Sequence, residues 1–168
     1  SASLQRPGAT ESARSQALAQ VRQLSDAQEL AVLTFDRSLR TLVSFTDWKA
    51  TPPSDRTALV EGRLNTWKPG WNGTHTASAL MGAAETLMET GTGAEPQVRQ
   101  LVLISDLQEG SHLESLQSYE WPKGVELVLE PVVVRPAGNA GLQLITEENS
   151  ATPASNAVVR VRVSNTAD

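Results

Sequence analysis

Apolar and polar positions change their spacing several times along the chain, and each change marks an element. Ala13, Ala17, Leu18, Val21 and Leu24 recur at helical intervals, which predicts a helix over 10–24 capped by Thr10 or Ser12. Residues 29–35 are a short run rich in strand formers and ended by Asp36, so a buried strand is expected there. Residues 39–45 alternate well enough for an edge strand in a hairpin with it. Pro52-Pro53-Ser54-Asp55 starts a helix through 57–64, with Ser54 or Asp55 as the cap. A loop rich in Pro and Gly, 67–73, leads into 74–90, where Ala77, Leu80, Met81, Ala84, Leu87 and Met88 define a helix face. Gly91-Thr92-Gly93 ends that helix.

Further on, 98–104 is a near-continuous apolar strand closed by Ser105-Asp106, a short helix is expected around 113–116, and 125–134 reads as another buried strand. Strands alternate with helices, and the strands are apolar on both faces. That pattern predicts an α/β fold, a Rossmann-like, mostly parallel sheet with helices on both faces. Ligands in such sheets sit beyond the C-terminal strand ends; Asp106 falls at such an end, and Thr74 opens a helix. From Pro136 the texture changes. Residues 142–145 and 158–163 read as strands with no helix between them, and Val159-Arg160-Val161-Arg162-Val163 alternates strictly. Two domains are expected: 1–135, and 136–168 as the start of an antiparallel β module.

Composition narrows the classes. With 39% hydrophobic and 20% charged residues the 168-residue chain reads as globular. A net charge of -5 without a Lys/Arg cluster argues against a nucleic-acid or anionic-membrane surface. The lack of cysteine excludes a disulfide framework, a thiolate metal site and a thiol nucleophile. The longest apolar stretches are too short for a bilayer span. The chain opens at Ser1-Ala2-Ser3 without a signal peptide. Both ends look cut, so a segment of a longer protein with its anchor elsewhere is expected.

Three short motifs carry the candidate chemistry: Ser1-Ala2-Ser3, Gly73-Thr74-His75-Thr76, and Leu101-Val102-Leu103-Ile104-Ser105-Asp106. In order and spacing, from Ser1 to Val134, they resemble the von Willebrand factor A-type (VWA) domain family. The resemblance implies a metal-ion-dependent adhesion site (MIDAS) in which Ser1, Ser3, Thr74 and Asp106 are the metal ligands and Mg²⁺ or Mn²⁺ the ion. The family's leading Asp falls just before Ser1, and its first strand, central in the sheet, is missing. The site is therefore incomplete in this chain, where Asp106 alone among the four carries formal charge. Mg²⁺ takes six oxygens at about 2.0–2.1 Å, and few charged ligands leave it able to accept a carboxylate from outside. The implied function is a non-enzymatic protein-binding module whose protein partner supplies that carboxylate.

A VWA domain followed by a small β-sandwich resembles the membrane-anchored bacterial proteins of the aerotolerance-operon (Bat) group, which implies a cell-envelope location. Asn139-Ala140-Gly141-Leu142 and Val161-Arg162-Val163-Ser164-Asn165-Thr166 resemble the first strands of an immunoglobulin-like, cell-adhesion-related bacterial domain.

Each residue also has a plainer reading. Ser1 and Ser3 are terminal polar residues, Thr74 a helix N-cap, and Asp106 a cap for the next helix. His75 reads as a surface residue of a first helical turn, and Asp36-Arg37-Ser38 as an ordinary turn. Trp67 and Trp71 are either a rim for a partner or loop anchors. The sequon Asn72-Gly73-Thr74 is set aside, because a glycan there would block the site. Two other functions compete: a metal-free structural VWA scaffold, and a serine hydrolase using Ser1 or Ser3 with His75 and Asp106. The hydrolase lacks a Gly-x-Ser-x-Gly elbow. Nucleotide binding lacks a phosphate loop, since Gly91-x-Gly93 follows a helix instead of opening one.

Overall fold

Alternation of helices and strands produces a mixed α/β chain. The computed structural model describes residues 2–89, 99–107, 113–133, 139–145 and 160–166, in two compact units, Ser1–Val133 and Val134–Asp168. The first unit holds four α-helices: α1 (Ala9–Arg22), α2 (Phe45–Ala50), α3 (Pro53–Thr66) and α4 (Thr76–Glu89). Its strands are β1 (Val32–Phe35), β2 (Leu39–Val43), β3 (Arg99–Ser105) and β4 (Val125–Pro131). The second unit holds β5 (Asn139–Ile145) and β6 (Arg160–Thr166).

The expected hairpin is present: β1 and β2 pair antiparallel, with Phe35 opposite Leu39 and Thr34 opposite Arg40. The register slips between Val32 and Leu33, which face Val43 and Thr41. This bulge lets the consecutive residues Leu42 and Val43 serve the same core. β3 and β4 form the parallel pair, in register from Arg99–Val125 to Ser105–Pro131. β4 departs from the expected buried strand. Leu127 and Leu129 are exposed, and among the described residues β4 pairs on one side only. β5 and β6 pair antiparallel, Leu142 with Val163 and Leu144 with Val161, and Arg162 is exposed.

Two cores share the hairpin. Val21 of α1, Trp48 of α2, Val60 and Leu64 of α3 and Val43 of β2 form one, with Val32 and Leu42 against it. Leu80 and Ala83 of α4, Leu101 and Leu103 of β3 and Val125 of β4 form the other, with Leu33, Phe35 and Leu39 against it. Successive side chains of a strand point to opposite faces. The hairpin is therefore covered by α1 and α3 on one face and by α4 on the other. Among the described residues no helix is long and apolar enough to cross a membrane.

Local chemistry moved several caps. α1 starts at Gly8 in the left-handed region (φ 80°) with no side-chain cap; Thr10 instead donates its hydroxyl to the Leu4 carbonyl. α3 begins after Pro52, again without a side-chain cap, and neither Ser54 nor Asp55 fills that place. The strand expected to run to residue 45 stops at Val43, because Ser44 and Asp47 form a reciprocal capping box that opens α2. Behind that box Trp48 is 3% exposed. Its indole N–H donates to the Gln28 carbonyl at 2.9 Å, and the Arg56 guanidinium lies 5.0 Å from its ring centre.

Candidate functional site

Of the four residues singled out from the sequence, Ser1 lies outside the described residues. Ser3 belongs to a single 3-10 turn, Ala2–Gln5. That turn is held at its C-terminal end. Leu4 is buried and its carbonyl accepts from Thr10, while the Gln5 amide donates to the Pro69 carbonyl at 2.8 Å. Pro69 belongs to the loop leading to Thr74, so one hydrogen bond joins the Ser3 turn to the Thr74 loop.

Thr74 is half-buried and precedes α4, which begins two residues later at Thr76. The His75 carbonyl accepts the Ala79 amide at 3.1 Å, the first bond of that helix. His75 therefore occupies the capping position expected of Thr74, and is half-buried instead of lying on the surface of the first turn. The Thr74 hydroxyl is released from the plainer role. Two residues on, the Thr76 hydroxyl oxygen is buried with no hydrogen-bond partner, an arrangement that costs about 1–3 kcal/mol.

Asp106 directly follows β3 and is half-buried. The next residue, Leu107, has φ 45°, where a leucine pays roughly 1–2 kcal/mol in steric strain. Its amide donates to the Ser105 hydroxyl at 3.2 Å. Asp106 thus sits between the end of β3 and a residue in the left-handed backbone region.

A cavity of about 620 Å³ links these segments. Leu4 (the neighbour of Ser3), Thr74 itself and Ser105 (the neighbour of Asp106) all line it. The structure therefore brings the three described segments to one cleft. Among the described residues no group of three or more His, Cys, Asp or Glu side chains is gathered for a metal; the set above is hydroxyl-rich with a single carboxylate.

Asp36, read from the sequence as an ordinary turn residue, is a buried polar centre with several partners. It is 7% exposed and accepts from the Asn72 side-chain amide at 3.0 Å and from the Ser38 backbone amide at 3.0 Å. Arg40 stands 3.6 Å away. The Asn72 bond, then the Ser38 amide and the Arg40 charge, hold its carboxyl at about 2 against the desolvation that opposes them. Through its bond from Asn72, Asp36 is a structural clasp on the Trp67–Thr74 loop. The signal that could have found it is Asn72 itself, an amide in a Pro- and Gly-rich loop next to the end of a buried strand. Trp71 in the same loop is 81% exposed, hence not an anchor. Comparison with family models, with curated proteins and with solved structures gives no match for the chain.

Proposed function

We propose that this chain is a non-enzymatic, protein-binding module of VWA type that uses a divalent cation, Mg²⁺ or Mn²⁺, at a MIDAS-like site. The observation that carries the reading is that Leu4, Thr74 and Ser105 line one cleft. Leu4 is the neighbour of Ser3 and Ser105 that of Asp106, so this common lining is what supports grouping Ser3, Thr74 and Asp106. The donor set fits a hard cation: neutral hydroxyl oxygens and one carboxylate. Ser1, Ser3, Thr74 and Asp106 would hold the ion, and the ion would supply a positive centre for a partner's carboxylate. In this reading β1 to β4 belong to one doubly wound sheet, and the module serves a larger membrane-associated protein of the bacterial envelope.

Calorimetric titration with Mg²⁺ and Mn²⁺ tests the proposal on this chain and on a version extended upstream. Binding by the extended form, lost in Asp106→Ala, is the expected result. No binding by either form sinks the cation site and leaves a metal-free scaffold.

A further inference from the structure

The Asn72-Gly73 pair in the loop before α4 has a chemistry of its own. The chain has six asparagines, Asn65, Asn72, Asn139, Asn149, Asn156 and Asn165, and only Asn72 is followed by glycine. An asparagine side chain is open to attack by the backbone nitrogen of the next residue. A Cβ on that residue hinders the approach, and glycine has none. Asn72 and Gly73 are both exposed. Among the described residues the Gly73 amide donates no hydrogen bond, so no partner holds the attacking nitrogen in place. The space beside it is open as well, with no atom within 4 Å of where a Gly73 Cβ would stand.

The amide under attack is also what fastens the loop. Asn72 Nδ2 donates to Asp36 Oδ2 at 3.0 Å. Among the described residues this is the single hydrogen bond made by residues 70–74. Upstream, the Pro69 carbonyl is held by Gln5 and the Trp67 carbonyl by Arg14. Downstream, the His75 amide is held by the Asp36 carbonyl.

We propose that Asn72 is a site of spontaneous deamidation, which unfastens the Trp67–Thr74 loop from Asp36 in one direction only. The Gly73 nitrogen gives up its proton and attacks Cγ of Asn72. An N–Cγ bond forms, the Cγ–Nδ2 bond breaks, and Nδ2 leaves with that proton as ammonia. Water then opens the cyclic imide at one of its two carbonyl carbons, giving aspartate or isoaspartate; nothing is oxidised or reduced. Either product sets a carboxylate where a donor stood, beside an Asp36 that is 7% exposed, so attraction becomes repulsion between like charges. Isoaspartate also adds a carbon to the main chain two residues before Thr74. The inference stands apart from the cation site, and its test contains no metal ion.

The experiment warms the full chain at mildly alkaline pH and follows each asparagine by peptide mapping, with isoaspartyl methyltransferase to mark the isoaspartate. Asn72 should convert at least about tenfold faster than any other asparagine, and Gly73→Ala, which the open space accommodates, should slow it about as much. The aged protein should melt about 2–4 °C lower at pH 7, the shift expected from losing one such bond in a chain of this size. Fresh Asn72→Asp should melt lower too. The double variant Asp36→Asn with Asn72→Asp exchanges donor and acceptor, and should melt above Asn72→Asp alone. Conversion at Asn72 no faster than elsewhere overturns the site. Conversion with no fall in melting temperature, or a double variant that melts no higher, overturns the unfastening. Should Asn72→Asp fail to fold, the aged protein decides by hydrogen exchange. Its His75 amide should exchange faster than in fresh protein, and an unchanged rate overturns the proposal.

Discussion

The backbone amide of His75 donates to the carbonyl of Asp36 at 2.9 Å, so the end of β1 and the start of α4 are held by one main-chain bond. The Asp36 side chain reinforces it by accepting from Asn72 at 3.0 Å. Thr74 lies between Asn72 and His75, and its position is thus set from both sides by the same aspartate.

This clasp makes a pH prediction. The Asp36 carboxyl is held below its ordinary 3.8, at about 2, chiefly by the Asn72 amide. A carboxyl depressed in the folded state contributes stability above its unfolded pKa and loses it as pH falls through the folded value. The melting temperature should therefore fall between about pH 4 and pH 2. Asp36→Asn should flatten that fall and lower the melting temperature at pH 7. Asp47, lowered by the Ser44 amide and hydroxyl, supplies the slope that remains. Thermal melts of both proteins from pH 2 to 7 decide it.

Thr74→Ala separates a ligand from a cap. The capping position of α4 belongs to His75, so removing the Thr74 hydroxyl should change the melting temperature by no more than a degree or two. Losing a hydroxyl ligand should weaken Mn²⁺ binding to the upstream-extended protein by tenfold or more, while Thr74→Ser should retain it. A melting loss as large as that of a true N-cap, about 1 kcal/mol, would return Thr74 to the plainer role.

Trp48 joins α2 to the first core through packing, a hydrogen bond to Gln28 and the Arg56 stack. Trp48→Ala should cost about 3–5 kcal/mol, the usual range for emptying a buried aromatic site. Trp48→Phe keeps most of the volume and loses the indole N–H, and should cost less. Urea denaturation followed by circular dichroism measures both.

Gly124 stands at φ 84°, in the turn that enters β4, with open space where a Cβ would lie. Gly124→Ala should cost about 1 kcal/mol from backbone conformation alone. A neutral result in the same denaturation assay would mean that the turn relaxes.

Most of the elements were legible because their signals are local. The 3.6-residue spacing of Ala13, Ala17, Val21 and Leu24 marked α1, and the apolar run ending at Asp106 marked β3. What escaped depends on partners remote in sequence or on an unusual local choice. Asp36 looked like a turn former because its partner Asn72 is 36 residues away. α2 was not read as an element and its first residue, Phe45, was put at the end of a strand, since Ser44-Phe45-Thr46-Asp47 makes its capping box with Asp where Glu or Gln is usual. Gly8 caps α1 through a backbone conformation that no side chain announces. At the candidate site the elements carrying Thr74 and Asp106 were readable. Their approach to a common cleft was not, because it depends on how α1, α4 and the two strand pairs pack.

The shared hairpin also governs how the first unit comes apart. Val32 serves one core and its neighbour Leu33 the other, because successive side chains of β1 point to opposite faces. Neither core opens without loosening the strand that completes both. Residues 1–133 should therefore melt as one cooperative transition, with amides near Val21 and near Leu103 exchanging through the same opening event.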